Sequence, residues 1–308
     1  ILKNLGVNLV HKKNQLDLKD QKVLIRVDFN VPMDEHNNIT DDTRIRAALP
    51  SIQYLIKNGA SLILMSHLGR PKGKVTPSLS LKPCAIRLEE LLDMPVKMSS
   101  DCVAPHVKKE IQDLKSGEIL MLENLRFYDA EESPDKNPDF AKTLASYADL
   151  YVNDAFGTAH RAHSSTCKVA EYFPNASAAG YLLEKEIHFL GNTLLKPNRP
   201  FYAIIGGAKV STKLGVLKSL LEKADGLILG GGMIFTFLKS QGIRIGNSLV
   251  EEGFLEEANS ILKLSKEMNK PLILPQDIVI ADKFSNNTEF SVISTEEGIP
   301  EGFLGLDI

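Results

Sequence analysis

The chain has 308 residues, of which 43% are hydrophobic and 24% are charged, the composition of a globular protein. Its 36 Lys and Arg residues face 39 Asp and Glu residues, a formal net charge of −3, which excludes a general nucleic-acid binder with a basic surplus. The three cysteines, Cys84, Cys102 and Cys167, form no C-x-x-C pair, which favours a reduced, cytoplasmic protein. No apolar run is long enough for a membrane span, so no membrane partner is predicted.

The first half of the chain alternates strand and helix patterns, which predicts an α/β fold with a parallel sheet. The predicted strands are continuous apolar runs, as expected for strands buried on both faces, at Lys22–Phe29, Ser61–Ser66, Glu118–Glu123 and Asp149–Asn153. Helical spacing of apolar residues predicts helices from Ile45 to Ile56 and over Ala85–Leu92. Pro50 is expected to kink the first of these helices or to mark a restart.

A second series of the same kind begins near Arg199. Its predicted strands are Pro200–Ile205, Gly226–Leu229 and Pro271–Leu274, separated by helices over Ser211–Lys223 and Phe254–Met268. The helical pattern of Leu182–Leu195 lies between the two series. The sequence therefore predicts a first domain over 1–181, an interdomain helix and linker over 182–198, and a second domain over 199–308.

Polar side chains follow each of the four strands predicted in the first half, where ligands bind in open parallel sheets. Asp28 and Asn30 follow the first strand, and Arg126 and Arg161 follow the third and the fourth. The second strand is followed by His67, Leu68, Gly69 and Arg70. Arg44, at the start of the first predicted helix, is expected to reach the same edge, which we call the rim. Guanidinium groups bind phosphate and carboxylate in pairs of hydrogen bonds, so the rim predicts a small, highly anionic ligand.

Plainer interpretations of these residues stay open. Any single rim arginine is as well explained by pairing with a surface acid, because exposed ion pairs are common. Arg26, inside the first strand, is interpreted as a paired structural residue rather than a ligand contact. His160 and His163 have a spacing found in metal sites, but no cysteine or carboxylate is placed to complete one, so no metal ligand is predicted.

The second half carries a glycine-rich segment, Gly206–Lys213 (GGAKVSTK), between a predicted strand and a predicted helix. Its spacing is neither that of a Walker A loop nor G-x-G-x-x-G. Glycines let backbone N–H groups approach an anion at a helix N-terminus, and Lys209 and Lys213 are expected in the first helical turn beside a phosphate. A solvated lysine pair is the alternative. Gly230–Met233 (GGGM), after the next strand, is a second loop that fits a purine or ribose.

Several longer motifs resemble those of the phosphoglycerate kinase family. They are RVDFNVP at 26–32, TRIRAALP at 43–50, SHLGRP at 66–71, ENLRF at 123–127, NDAFGTAHRAHSS at 153–165, GGAKVSTK and GGGM. The resemblance runs from about residue 16 to the last residue. It implies two Rossmann-like domains with parallel sheets joined by an interdomain helix, the second domain being incomplete. It also implies reversible phosphoryl transfer between 1,3-bisphosphoglycerate and ADP, giving 3-phosphoglycerate and ATP, in glycolysis.

The resemblance implies that 3-phosphoglycerate or 1,3-bisphosphoglycerate lies on the first domain. Asp28 and Asn30 would contact its hydroxyl and carboxyl end, and Leu68 and Gly69 would lie beside it. The family's basic patch would consist of Arg44, His67, Arg70, Arg126 and Arg161. Of these, Arg44 would be the residue most directly involved in the transfer step.

The resemblance places MgADP or MgATP on the second domain. The phosphates would be lined by Gly207, Ala208, Lys209 and Lys213, the nucleoside by Gly231 and Gly232, and the adenine by Gly305 and Leu306. Lys209 would be the second catalytic residue. Family members continue beyond the point where this sequence stops, and the protein ligand of Mg²⁺ is expected in that C-terminal part.

Two other functions are weighed against the kinase. A truncated, non-catalytic fragment that still binds 3-phosphoglycerate is the alternative, because part of the expected nucleotide site is absent. A nicotinamide-dependent dehydrogenase is disfavoured by the absence of G-x-G-x-x-G. The kinase needs no general base, since the reacting carboxylate and diphosphate oxygens are already anions. A cytoplasmic monomer without a nucleic-acid partner is expected.

Overall fold

A computed structural model of the chain describes residues 8–9, 17–285 and 287–308. Residues 1–7 and 10–16 of the predicted domain 1–181 lie outside the described residues. The chain divides into two compact units, the first ending at Gly191 and the second beginning at Asn192. This division lies inside the predicted linker 182–198, whose exact boundaries stay a prediction. No helix of the described residues is long and apolar enough to cross a bilayer.

The first unit is built on a parallel sheet of seven strands in the order β1-β7-β6-β2-β3-β5-β4. The strands are β1 Asn8–Leu9, β2 Lys22–Arg26, β3 Ser61–Met65, β4 Val96–Met98, β5 Ile119–Met121, β6 Leu150–Asn153 and β7 Ser177–Ala179. The predicted α/β fold with a parallel sheet is confirmed. All four strands predicted here are shorter in the structure. The residues that follow β2, β3 and β5 form loops of the rim, whereas β6 lacks only its predicted first residue, Asp149.

Successive residues of the central strand point into two separate cores. Val23 packs with α1 Thr43–Lys57 and α2 Lys82–Leu92, whereas Leu24 packs with α3 Pro105–Gln112 and α5 Pro138–Ala145. A short helix, α4 Asp129–Glu132, precedes α5. Because helices cover both faces of the sheet, every position of β3, β5 and β6 is buried, as is every position of β2 after Lys22, which explains the continuous apolar runs.

The helical predictions for the first unit and for the linker are largely correct. Helix α1 continues through Pro50, which lies on its exposed face, so the restart considered for this position does not occur. The pattern predicted over 182–195 is helical throughout, as α6 Tyr181–Ile187, a π-helical turn His188–Asn192 and α7 Thr193–Leu195.

The second unit contains two sheets of three strands each. The parallel sheet has the order β10-β9-β8, with β8 Tyr202–Gly206, β9 Gly226–Gly230 and β10 Leu272–Ile273. The antiparallel sheet, order β12-β11-β13, consists of β11 Asp277–Ala281, β12 Phe290–Ser294 and β13 Leu304–Asp307. The parallel sheet agrees with the predicted fold class, and the antiparallel sheet is an addition that the sequence analysis did not predict. The turn-forming Ser285–Thr288 between two β-branched runs is the signal for the hairpin that sequence reasoning missed.

Three helices cover the parallel sheet of the second unit. They are α8 Leu214–Lys223, α9 Ile234–Ser240 and α10 Leu255–Glu267. Helix α8 begins three residues after the predicted start at Ser211, because residues 207–213 form an irregular loop and turn. Lys209 and Lys213 therefore lie before the helix and not inside it.

Candidate functional site

The sheet order of the first unit gathers the predicted rim. Strands β6, β2, β3 and β5 are consecutive neighbours and all parallel, so their carboxyl ends lie at one edge. The loops that follow these four strands carry the predicted substrate residues. The rim is therefore a consequence of topology, since residues from four distant chain segments meet at adjacent strand ends.

Asp28 and Asn30 organise the first part of the rim. Arg44 Nη1 donates to Asp28 Oδ2 at 2.6 Å, so Arg44 reaches this edge as predicted. Asn30 Oδ1 accepts from the backbone N–H of Gly69 at 2.8 Å and joins the loop after β2 to the loop after β3. Gly157 must lack a side chain, because a Cβ there would lie 2.6 Å from Asp28 Oδ2.

Arg126 is buried at the centre of the rim. Its Nη1 donates to the carbonyl of Gly69 at 2.8 Å, and its Nε lies 3.1 Å from Glu132 Oε1. That ion pair lacks hydrogen-bond alignment, so Nε has no hydrogen-bond partner among the described residues. Burial lowers the pKa of the guanidinium. A buried N–H without a partner costs free energy, and an anionic ligand would supply the acceptor.

The side chain of Asn124 braces the loop that carries Leu68 and Gly69. Asn124 Nδ2 donates to the carbonyl of Leu68 at 2.7 Å, and Asn124 Oδ1 accepts from Leu68 N–H at 3.2 Å. This pair of bonds reproduces the pattern of a backbone ladder and fixes the loop against the end of β5. Within the motif ENLRF, Asn124 therefore supports the neighbouring loop, and Arg126 belongs to the candidate site.

Arg26 and His67 are buried together beneath the rim. Arg26 Nη2 lies 3.0 Å from His67 Nδ1, and Arg26 Nε donates to Ser165 Oγ at 2.8 Å. His67 Nδ1 is also 3.9 Å from Asp28 Oδ1. Burial, followed by the charges of the nearby arginines, lowers the pKa of His67 far below its usual range. The lowered pKa favours the neutral form of His67. Arg26 is fully buried and bonded to Ser165, Val27 and His67, as expected of a structural residue, but it forms no direct ion pair among the described residues.

The segment after β6 contributes two further groups. His163 Nδ1 is buried without a hydrogen-bond partner among the described residues, 3.8 Å from Glu131 Oε1. Burial lowers the pKa of His163 to about 4, an effect that the guanidinium groups strengthen and Glu132 opposes. Arg161 is half-buried, and its charge contributes to the lowered pKa values of His67 and Arg126.

Arg70 is a rim arginine whose side chain forms no hydrogen bond with another rim residue in the described part of the chain. It is exposed and makes no ion pair with any described residue, so its predicted contact with substrate stays a prediction. The interpretation of His160 and His163 as a metal pair gains no support, since no group of three metal-ligating side chains occurs among the residues described.

The two glycine loops of the second unit pack against each other. Gly206 and Gly230 are partners at the ends of the parallel strands β8 and β9. Gly231 has φ +70°, and a Cβ there would lie 2.8 Å from the backbone nitrogen of Gly207. Met233 N–H donates to the carbonyl of Gly207 at 2.8 Å. The loops predicted to contact phosphate and nucleoside are therefore one continuous backbone surface, which also includes Ala208 below Gly232.

The loop lysines lie before the helix rather than in its first turn, which corrects the prediction. Lys213 is the residue that precedes α8, and Lys209 lies in the exposed loop. Neither ammonium group has a carboxylate within 4.0 Å in the described part of the chain. Lys213 extends over the loop, since its Cε would be 3.2 Å from a Cβ at position 207. Two unpaired cations beside exposed backbone form an arrangement that fits a phosphate.

Glu251 holds the glycine-rich loop in place. Its Oε2 accepts from Ser211 N–H at 2.9 Å and its Oε1 from Ser211 Oγ at 2.6 Å. These hydrogen bonds lower the pKa of the Glu251 carboxyl, with a smaller contribution from the charge of Lys209. Sequence reasoning missed Glu251, because it lies in an acidic pair 40 residues further along the chain and carries no motif.

Gly305 has a structural explanation of its own. It lies on β13, where a Cβ would be 2.3 Å from Cζ of Phe235, and its N–H donates to Ser248 Oγ at 2.9 Å. The ring of Phe235 therefore demands glycine at this position whether or not a ligand is bound. The approach of Gly305 and Leu306 to adenine stays a prediction.

The family model and the similar proteins described below all indicate the same family. A family model described as phosphoglycerate kinase matches residues 13–308. The chain is 55% identical over 294 residues to the cytosolic phosphoglycerate kinase of Nicotiana tabacum, covering 96% of this chain and 72% of that protein. It is also 55% identical to phosphoglycerate kinase 2, chloroplastic, of Arabidopsis thaliana, of which it spans 61%.

Solved structures give the same result for the fold. The structure of phosphoglycerate kinase from Coxiella burnetii matches with a TM-score of 0.74 at 38% identity, covering 95% of this chain and 72% of that one. Phosphoglycerate kinase from Pyrococcus horikoshii OT3 matches with a TM-score of 0.81 at 30% identity, covering 95% and 74%.

Proposed function

The chain belongs to the phosphoglycerate kinase family, whose members are phosphotransferases with a carboxyl acceptor, and we propose that it binds 3-phosphoglycerate or 1,3-bisphosphoglycerate at the rim. The observation that supports this most directly is the buried Arg126, whose Nε forms a poorly aligned ion pair with Glu132 and no hydrogen bond within the described part of the chain. A phosphate or carboxylate oxygen that displaces Glu132 from Nε would accept its hydrogen. His163 Nδ1, which is also buried without a hydrogen-bond partner among the described residues, belongs to the same rim.

The second unit is proposed to hold the nucleotide, as MgADP or MgATP. The shared backbone surface of Gly207, Ala208, Gly231 and Gly232 allows close approach of an anion, and Lys209 and Lys213 supply positive charge. Mg²⁺ is treated as part of the nucleotide substrate. Its charge would neutralise the phosphates together with the two lysines.

The proposed reaction transfers a phosphoryl group between the carboxyl oxygen of 3-phosphoglycerate and the terminal oxygen of ADP. In the direction of ATP formation, a diphosphate oxygen bonds to phosphorus while the acyl phosphate bond breaks and the carboxylate leaves. Both reacting oxygens are anions, so no residue is required as a general base. Arg44 and Lys209 are the residues that we assign to neutralisation of the transferred group.

We also propose a cellular location and an oligomeric state. Cytosolic forms are found among the similar proteins, as are chloroplastic ones, and a cytoplasmic location for this chain is the proposal. A monomer without nucleic-acid partners is likewise proposed, consistent with a net charge of −3. Sedimentation velocity of the purified chain would test the monomer.

Calorimetric titration of 3-phosphoglycerate into the chain, without nucleotide, tests the assignment of the rim. Arg126→Ala should weaken binding about tenfold or more, since a hydrogen bond to a charged group contributes roughly 1.5–3 kcal/mol. The affinity should also fall as salt rises, because the attraction is largely ionic. Arg244→Ala is the control for loss of a positive charge, because Arg244 is exposed on the second unit and its side chain donates to the carbonyl of Glu297.

The titrations distinguish an incorrect binding site from an incorrect substrate. Unchanged affinity in Arg126→Ala would show that the rim as described does not contact the substrate. No binding by the unaltered chain would remove the proposed substrate itself.

A further inference from the structure

A fully buried carboxylate, Glu131 on α4, lies beneath the rim. Its Oε2 accepts from the backbone N–H of Ser165 at 3.0 Å, and its Oε1 accepts from Ser165 Oγ at 2.6 Å. Because the hydroxyl donates its single hydrogen to Glu131, its oxygen is left to accept. Arg26 Nε fills that position at 2.8 Å. Glu131 thus holds the buried Arg26 through one bridging hydroxyl.

The other end of Arg26 determines the protonation of His67. Arg26 Nη1 donates to the carbonyl of Val27, and Nη2 lies 3.0 Å from His67 Nδ1. A guanidinium group has donors and no acceptor, so Nδ1 must be the acceptor in this contact. A neutral imidazole with an accepting Nδ1 carries its hydrogen on Nε2.

The charges around His67 agree with a neutral ring. Burial is the largest cause of its lowered pKa, followed by the charges of Arg26, Arg126 and Arg161, with His163 adding a smaller contribution. Asp28 is the acid that faces the ring, with Oδ1 3.9 Å from Nδ1, and its other oxygen is paired with Arg44. The nearest carboxylate is therefore already neutralised and does not draw a second proton to His67.

We propose that Glu131 and Ser165 are positioning residues of the rim, which act through Arg26 to hold His67 as the neutral Nε2–H tautomer. His67 then offers one donor, Nε2–H, to an oxygen of the anionic substrate. The identity of that substrate rests on the proposed function, whereas the tautomer does not. Burial raises the pKa of Glu131 and lowers that of Arg26, and the charge of each residue opposes the shift of the other. Loss of the Glu131 charge would leave Arg26 with the weaker attraction of Asp28 and would weaken the contacts that keep it in this orientation.

The chain offers a matched pair of serines for the test. Ser165 and Ser164 are adjacent and both fully buried, but Ser164 Oγ donates to the carbonyl of Ala130 at 2.6 Å and does not contact Arg26. Ser165→Ala breaks the link from Glu131 to Arg26, and Ser164→Ala removes a similar hydroxyl outside it. Glu131→Gln removes the charge while keeping the shape and is the second variant.

Two measurements are made on each variant. Nitrogen-15 NMR of the histidine rings, with His67 assigned by His67→Gln, reports which ring nitrogen carries the hydrogen in the substrate-free chain. Calorimetry reports the affinity for 3-phosphoglycerate. We expect Nε2–H alone in the unaltered chain and in Ser164→Ala. Ser165→Ala and Glu131→Gln should show mixed tautomers and about tenfold weaker binding.

The inference is overturned by Nδ1–H in the unaltered chain, or by a Ser165→Ala variant whose His67 signals and affinity are unchanged. Equal changes in Ser164→Ala and Ser165→Ala would also overturn it, because they would indicate a general loss of packing. If the NMR result holds while the unaltered chain does not bind 3-phosphoglycerate, the positioning chain stands and the proposed substrate fails.

Discussion

Arg44 and Asp28 form a single ion pair at the rim, with Nη1 of the arginine 2.6 Å from Oδ2 of the aspartate. The Asp28 side chain is 10% exposed and the Arg44 side chain is 50% exposed, so the carboxylate is buried under the more accessible cation. The resemblance implies that both residues contact the substrate and that Arg44 also acts in the transfer step. The structure shows that each residue neutralises the charge of the other. Removal of either side chain leaves the remaining charge without its ion-pair partner.

Arg44→Ala is expected to weaken 3-phosphoglycerate binding tenfold or more and to lower turnover further, because the exposed Asp28 carboxylate would then repel an anionic ligand. Arg46→Ala is the control, since Arg46 lies on the same helix, is similarly exposed and pairs with Asp42 at 2.8 Å. Calorimetry and a coupled assay measure both variants. Equal effects of the two substitutions would indicate a change in the helix rather than in the site.

Lys209→Ala should lower kcat and kcat/KM together, by about a hundredfold or more, with nucleotide affinity nearly intact, as for a contact formed in the transition state. Lys213→Ala should raise KM for ATP more than it lowers kcat, since its side chain lies over Gly207. Lys218→Ala, on the exposed face of α8, is the control. A rise in KM alone for Lys209→Ala would assign that lysine to ground-state binding.

Gly231→Ala is expected to destabilise the second unit by about 2 kcal/mol or more. Its φ of +70° is unfavourable for alanine, and the added Cβ would lie 2.8 Å from the Gly207 backbone nitrogen. Chemical denaturation measures the loss. Gly253→Ala is the control, because a Cβ at 253 meets nothing within 4 Å. Similar stabilities for the two variants would contradict the close approach of the glycine loops.

The stability of the first unit should fall as the pH drops from about 6.5 to 4, partly because of His163. The pKa of His163 is lowered to about 4, so in this range the unfolded chain binds a proton that the folded chain does not. The slope from one such histidine is at most about 1.4 kcal/mol per pH unit. His67 acts in the same direction.

Denaturation at pH 7 and pH 5 measures this dependence in matched variants. His163→Gln should lose less stability on acidification than the unaltered chain. His36→Gln should behave like the unaltered chain, because His36 is exposed. A His163→Gln variant with the same pH dependence as the unaltered chain would show that His163 is not held neutral.

The cysteines are expected to have no catalytic role and to differ in reactivity. Cys84 and Cys102 are buried, and burial raises the pKa of Cys84 to about 12 and that of Cys102 well above its usual value. An aromatic disulfide reagent should therefore modify the half-exposed Cys167 first and the other two only after unfolding. Cys167→Ser should remove the fast phase and keep turnover. Loss of activity in a folded Cys167→Ser variant would contradict this assignment.

Much of the fold and of the site followed from local pattern. The continuous apolar runs predicted the buried parallel strands of the first unit, and the rule that ligands bind at carboxyl strand ends selected Asp28, Arg126 and the loop at 67–70 as candidates. Motif resemblance identified the family before any geometry was known. The inferences about the fold class and the family are confirmed, because periodicity and motifs depend on residues close together in the chain. The substrate contacts of the residues at the strand ends stay a prediction.

The partners of those residues were decided only by the tertiary structure. Ser165 and Glu131 are 34 residues apart, and Ser211 and Glu251 are 40 apart, yet each pair shares two hydrogen bonds. Both glutamates resemble solvated surface charges in the sequence, because burial and hydrogen-bond partners arise from how helices and loops pack over the sheets. For the same reason the sequence predicted two lysines in a helical turn, whereas the bonds to Glu251 hold that segment as a loop. Residue types therefore predict which groups the candidate site contains, and contacts between distant segments determine their electrostatic arrangement.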